Sequence, residues 1–400
     1  MRASFQKVLP VLFSRFFRFT DVAAAAAASC LCLLALHHTT VLAQPPPAPV
    51  INAKAWMLLD LSSGQVLASQ HPAERIEPAS LTKLMTAYLV FSALKAKTVT
   101  LEQAVPVSPK AWKMGGSRMF IEPQKPVTVA ELLRGMIVQS GNDASVALAE
   151  LIAGSEDAFA AAMNREGKRL GMKHSHFRNA TGWPDPEHLT TAADLGVLAA
   201  AVIRDFPDFY ALYSQKDYTY NNITQMNRNK LLWIDPNVDG MKTGHTESAG
   251  YCLISSAKRG PRRLLSVVLG TASENARATE SQKLLNFGFL NYDGVKLYEK
   301  GQSIASLEVW KGSAREVKAG FDRELFVTLP KGQADKVKAT LLSQKPLLAP
   351  IAAGQRIGTM KVTVEGRDIA EVAVVALEGI EGAGVFGRAY DTVRLWFAKS

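Results

Sequence analysis

The chain has 400 residues, of which 48% are hydrophobic, 20% charged and 8% aromatic. Those proportions exclude a disordered polymer, and near-average Gly and Pro contents exclude a collagen-like repeat. A formal charge of +10 suits an anionic partner without choosing among nucleic acid, membrane surface and acidic polymer.

At this length two domains, or one domain with an appendage, are expected. The N-terminus comes first. Arg2, Lys7, Arg15 and Arg18 lead into a charge-free apolar run from Val22 to Leu36, and Val41-Leu42-Ala43 precedes Gln44-Pro45-Pro46-Pro47. A basic head, a short apolar middle and small residues at −3 and −1 make a secretory signal, cut after Ala43. The run is shorter than a spanning helix needs, which argues against a retained anchor. Cys30 is preceded by Ala27-Ala28-Ser29 and lacks the leading Leu of a lipoprotein signal. Cleavage removes Cys30 and Cys32, and the remaining Cys252, in an apolar stretch, reads as core packing. His174-Ser175-His176 lacks zinc-site spacing, so no metal or cofactor is expected.

Residues 44–54 form a Pro-rich lead. Ala55 to Asp60 and Gln65 to Ser69 flank Ser62-Ser63-Gly64 as a hairpin. A helix over Leu81 to Lys97 is apolar nearly all round, which places it in the middle of a domain. Thr128-Val129-Ala130-Glu131 is a capping box opening a helix to Val138. The chain then breaks at Ser140-Gly141-Asn142 and resumes from Asp143 to about Gly154. Further helices span Glu156 to Leu170 and begin at Thr191. Strands follow over 240–245, 250–258 and 264–269, with a Gly260-Pro261 turn, then a helix over 275–286. After Tyr292 short β-type runs separated by Gly replace helices, indicating an all-β domain. Last, Val385, Phe386, Ala389, Tyr390, Val393, Trp396 and Phe397 share one arc of a helix, opposite Arg388, Asp391, Arg394 and Lys399. That pattern fits a membrane interface better than a helix docked on its own domain.

Three short motifs could carry chemistry. In Ser80-Leu81-Thr82-Lys83 the i, i+3 spacing puts a hydroxyl and an amine on one helical face. A serine needs a neighbouring base, and a lysine serves if its pKa falls. The same spacing recurs at Ser4/Lys7, Ser92/Lys95 and Ser255/Lys258, but Ser80 opens its helix, where free amides favour developing negative charge. Ser140-Gly141-Asn142 sits at an interhelical break, and Lys242-Thr243-Gly244 lies on a strand whose Gly would let a substrate backbone approach. Singly, Asn142 reads as a helix cap and Lys242 as a solvated strand end. The trio in this order matches the motif set of penicillin-binding proteins and class A β-lactamases, with Gly141 where Asp is usual.

Beyond the trio, Pro78 to Met85 (PASLTKLM), Ser140 to Ala144 (SGNDA), Phe177 to Gly182 (FRNATG), Pro184 to His188 (PDPEH) and Lys242 to Gly250 (KTGHTESAG) extend the likeness from about Trp56 to Phe397. The chain resembles the low-molecular-mass penicillin-binding proteins, specifically the D-alanyl-D-alanine carboxypeptidases with a C-terminal amphipathic anchor. The resemblance implies an α+β fold: a transpeptidase/β-lactamase-like domain at 55–291, antiparallel sheet with helices, then a small all-β domain at 292–383 and an amphipathic anchor at 384–400. It implies Ser80 as acylated nucleophile, Lys83 as its base, and Ser140 and Asn142 as proton relay and substrate holder. Lys242 and Thr243 with Arg277 would meet a terminal carboxylate, beside Gly244, and the amides of Ser80 and His245 would form an oxyanion hole. A Lys242–Lys83 like-charge pair would favour a neutral amine. The implied partners are peptidoglycan stem peptides, β-lactams as covalent inhibitors, and the membrane surface through 385–400, with the enzyme periplasmic.

Two rival readings remain. A class A β-lactamase needs a Glu-x-x-Leu-Asn motif, and Glu166-Gly167-Lys168-Arg169-Leu170 is off by one and lacks the Asn. A catalytically idle wall-binding protein is the other. Nucleic acid is not an expected partner. The dense basic cluster of Lys258, Arg259, Arg262 and Arg263 lies at a hairpin tip and reads as solvated.

Overall fold

The computed structural model describes residues 46–398. The expected signal at 1–43 lies outside the described residues, as do Lys399 and the side chain of Phe397. The first described domain is built on one antiparallel sheet. Its strands are β1 (Ala55–Asp60), β2 (Gln65–Gln70), β3 (Val238–Thr246), β4 (Gly250–Arg259) and β5 (Arg262–Thr271), in the order β2-β1-β5-β4-β3. Successive residues alternate between the two faces of a strand, and the sequence uses both. Ala55 and Met57 on β1, Ile254 on β4 and Leu265 and Val267 on β5 enter the large core under the helices. Trp56 and Leu58, Leu253, Leu264 and Val268 enter a second core on the opposite face.

The large core is covered by helices α1 (Lys83–Lys95), α2 (Pro109–Lys113), α3 (Val129–Val138), α4 (Asn142–Ala153), α5 (Glu156–Leu170) and α6 (Ala192–Asp205). Leu84, Met85, Ala87, Tyr88, Val90 and Phe91 of α1 are all buried, so the helix without a polar face is central, as its pattern requires. The capping box at Thr128 and Glu131 forms, and α4 and α5 end on left-handed Gly154 and Gly171. Cys252 packs in the core. The other face is covered by α7 (Glu274–Asn291), longer at both ends than its sequence pattern indicated. The short α2, capped by Ser108, and a hairpin over Asp217–Tyr220 and Ile223–Met226 carried too little periodicity to be read.

The second domain is all-β, with strands β6 (Tyr292–Tyr298), β7 (Ala305–Trp310), β8 (Glu316–Gly320), β9 (Leu325–Pro330), β10 (Val337–Ser343), β11 (Arg356–Val364) and β12 (Arg367–Ala376). β10-β11-β12-β8-β7 and Leu347–Leu348 form one sheet, and β6 pairs with β9.

The basic hairpin tip corrects an expectation. Lys258 is exposed, but Arg262 lies 3.0 Å from the fully buried Asp60, Arg263 2.7 Å from Asp239, and Arg259 3.2 Å from Asp235. The three arginines are not free in solvent because each turns back to a carboxylate of the first domain, and the second domain adds contacts to the Arg262–Asp60 pair. Arg262 also donates to the Tyr292 carbonyl, and the Thr328 hydroxyl on β9 donates to Asp60 Oδ2 at 2.9 Å.

The terminal helix α8 (Val385–Ala398) turns its polar side to the β domain. Asp391 accepts the Lys311 amide at 2.6 Å, and Arg394 stacks on Trp310. Its aromatic arc faces out, with Phe386 92%, Tyr390 61% and Trp396 72% exposed. No helix among the described residues is long and apolar enough to cross a membrane.

Candidate active site

Ser80 sits in a 3-10 turn, Ala79–Thr82, that opens into α1. Two glycines let that turn pack tightly. A Cβ on Gly182, whose φ is +82°, would lie 1.7 Å from the Ala79 carbonyl oxygen. A Cβ on Gly244 would press on the Pro78 carbonyl and on Leu81. Gly244 thus packs closely on the turn from one side while it borders the cavity on the other, where the sequence places a close substrate approach.

The turn places Lys83 Nζ 2.8 Å from Ser80 Oγ, 2.7 Å from Asn142 Oδ1 and 2.8 Å from the Thr181 carbonyl. This set of partners decides what the amine can do. Asn142 Oδ1 and the Thr181 carbonyl only accept hydrogen bonds, whereas a serine hydroxyl can also donate. A neutral Lys83 gives its two protons to the acceptors and turns its lone pair to Ser80. Its pKa is depressed to about 7, chiefly because the ammonium is stripped of water, then by Arg228, while Asp143 opposes the shift. Burial therefore dominates, not the Lys242 charge that the sequence reading invoked. The mutual repulsion is felt on the other side. Lys242 is held well below its usual value by burial first, then by Lys83, Arg228 and Arg277.

Ser140, at φ +65° in the break between α3 and α4, accepts a hydrogen bond from Lys242 Nζ at 2.9 Å. Asn142 Nδ2 donates to the Gly115 carbonyl, and its backbone amide to that of Ser117. Asp143 accepts the amides of Met119, Phe120 and Ile121. One short polar run thus holds Lys83, Lys242 and the 115–121 loop together.

β3 is the edge of the sheet, so one side of its backbone is not paired with another strand. Along it Thr243, Gly244 and His245 border a cavity of about 560 Å³ that also contains Ser80, Ser140, Asn142 and Arg277. Lys83 and Lys242 lie behind its wall, each almost fully buried. All nine expected residues therefore meet at one site. Arg277 is buried under Tyr251 and donates to the Gly244 carbonyl, and the His245 ring stacks on Tyr251 at 4.0 Å. Arg228, Thr181, Trp183 and Tyr251 are also among the lining residues. Thr181 lay within a recognised stretch, but Arg228 and Tyr251 had no local signal. No cluster of His, Cys, Asp and Glu among the described residues could hold a metal.

The comparisons agree with this geometry. Residues 40–273 match the family model described as D-alanyl-D-alanine carboxypeptidase, and residues 292–382 match that of the penicillin-binding protein 5 C-terminal domain. This chain belongs to the D-alanyl-D-alanine carboxypeptidase family. It is 42% identical to D-alanyl-D-alanine carboxypeptidase DacC of Escherichia coli over 88% of this chain and 90% of that one. It is 36% identical to DacF of Bacillus subtilis over 83% and 87%. The crystal structure of penicillin binding protein 5 from Haemophilus influenzae superposes with a TM-score of 0.80 at 41% identity, covering 84% of this chain and 99% of that one. Membership makes the protein a serine peptidase with the α+β penicillin-binding fold expected from its motifs.

Proposed function

We propose that this enzyme removes the terminal D-alanine from peptidoglycan stem pentapeptides through an acyl-Ser80 intermediate. The observation that carries the mechanism is the partner set of Lys83, which leaves the Ser80 hydroxyl as the one neighbour able to meet a lone pair. Ser80 Oγ attacks the penultimate carbonyl as its proton passes to Lys83 Nζ. The amides of Ser80 and His245 hold the oxyanion, a contribution typically worth a few kcal/mol in the transition state. Thr243, Arg277 and Arg228 meet the substrate carboxylate, while Lys242, behind the cavity wall, holds Ser140 Oγ and the Thr243 carbonyl. The C–N bond breaks, the leaving amine takes a proton relayed by Ser140, and D-alanine departs. Water activated by Lys83 then cleaves the ester. A β-lactam offers a carboxylate beside a strained amide, but its amine stays tethered to the acyl group and obstructs that water.

Mass spectrometry of a pentapeptide before and after incubation tests the reading. Loss of one alanine that disappears in Ser80→Ala supports it, and an intact peptide with the wild-type enzyme refutes it.

We further propose an export signal at 1–43, a catalytic domain at 55–291, a β domain at 292–383, and a periplasmic enzyme attached through 384–400. The outward aromatic arc of α8 supports the attachment, because a helix serving only as a lid on its own domain would bury that arc.

A further inference from the structure

His188 lies outside the cavity, on the far side of the nucleophile turn, and is almost fully buried. Its Nε2 is 3.0 Å from the hydroxyl of Thr82, the residue between Leu81 and Lys83 on that turn. The Arg178 amide donates to Nδ1. An Nδ1 that accepts carries no proton, so the neutral ring bears its hydrogen on Nε2 and donates it to Thr82 Oγ1. The ring stays neutral because burial outweighs the nearby Asp185, with His176 and Arg178 acting in the same direction as burial.

We propose that His188 is a positioning residue for the acylation machinery, gripping the 3-10 turn through Thr82 and locking it to the loop that supplies the third partner of Lys83. The inference rests on the assignment of Ser80 and Lys83 above. The loop reaches the turn and the first residues of α1 at three places. Thr86 donates to the Ala180 carbonyl, Lys83 to the Thr181 carbonyl, and Thr82 meets His188. The bridges Ile76↔Thr190 and His176↔Leu189 anchor its ends. The turn itself is a 3-10 segment, whose hydrogen-bond geometry is poorer than that of the α-helix it precedes. In a 3-10 segment residues i and i+3 eclipse, and winding it into continuous α-helix would turn Ser80 by about 60° relative to Lys83, leaving both on one face but loosening their 2.8 Å contact. The His188–Thr82 bond opposes that rewinding from inside the core, where water cannot compete for either group.

The test compares His188→Leu, His188→Gln, Thr82→Val and the Leu/Val double variant. The readouts are acylation rate by benzylpenicillin, kcat and KM for a pentapeptide, and melting temperature. Glutamine can both accept the Arg178 amide and donate to Thr82. His188→Leu and Thr82→Val should each lower the acylation rate and kcat about 10- to 100-fold with KM unchanged. The double variant should be no slower than either, and His188→Gln should stay within about threefold of wild type. A folded His188→Leu that acylates at the wild-type rate overturns the proposal, as does a Gln variant as slow as Leu. If His188→Leu does not fold, Thr82→Val carries the test, and a wild-type rate there is equally fatal. Ser80→Ala run alongside separates the two claims, because residual turnover in it would sink the nucleophile assignment instead.

Discussion

Two basic clusters in this molecule, one half-buried and one buried, are treated in opposite ways. At the hairpin tip each arginine receives a carboxylate: Arg262 has Asp60, Arg263 has Asp239 and Arg259 has Asp235. In the active site Lys83 and Lys242 are offered only hydroxyls, a carboxamide and carbonyls. Arginine keeps its charge under any biological condition, so a buried one needs a counter-charge. Lysine can shed its proton instead, and denying it a carboxylate turns desolvation into basicity. The first cluster is built to hold the sheet and, through Arg262 and Asp60, the second domain in place, the second to move a proton.

The largest expected effect breaks the active-site half. Lys83→Arg installs a group that cannot act as a base, and kcat/KM should fall by about 10²- to 10⁴-fold, with slowed labelling by a fluorescent penicillin. Near-normal labelling would remove Lys83 from the chemistry. Asp60→Asn strikes the other half by stripping Arg262 of its buried partner. Removing one partner of such a pair costs about 3–5 kcal/mol, which calorimetry should register as a lower melting temperature. Penicillin acylation measured well below that temperature should stay within about twofold, since Asp60 is far along the sheet from Ser80.

A reciprocal substitution sharpens the contrast. Lys83→Met removes a depressed amine that folding must strip of water, so this variant should melt at or above the wild-type temperature while inactive. The pH profile follows from the same shift. Only neutral Lys83 is a base, so kcat/KM should fall about tenfold per pH unit below about 7 and level off above it. A flat profile from pH 5 to 8 would contradict the assigned base. The smallest effect on chemistry is expected from deleting 385–400. The protein should leave the membrane fraction while its penicillin reactivity is unchanged, and retention at the membrane would refute the anchor.

Much of the fold could be read because its signals are local. The Thr128 capping box, the breaks at Gly154 and Gly171, the hairpin at Ser62-Ser63-Gly64 and the all-round apolar face of α1 each depend on residues within a turn or two. The catalytic trio could be read because each motif is contiguous. Arg228 could not, since its relevance comes from the field it exerts on two lysines distant in sequence. Nor could the pairing of the basic tip, which needs Asp60 about 200 residues away and Thr328 in the other domain.

By itself, then, the order of residues determined which segments become helices and strands, which hydroxyl and amines are chemically eligible, and that one terminal helix is two-faced. The tertiary structure alone decided which buried cations keep their charge, which way that helix turns, and why Gly182 must be glycine. Those outcomes depend on distance and dielectric between groups far apart along the chain, and no local pattern encodes either.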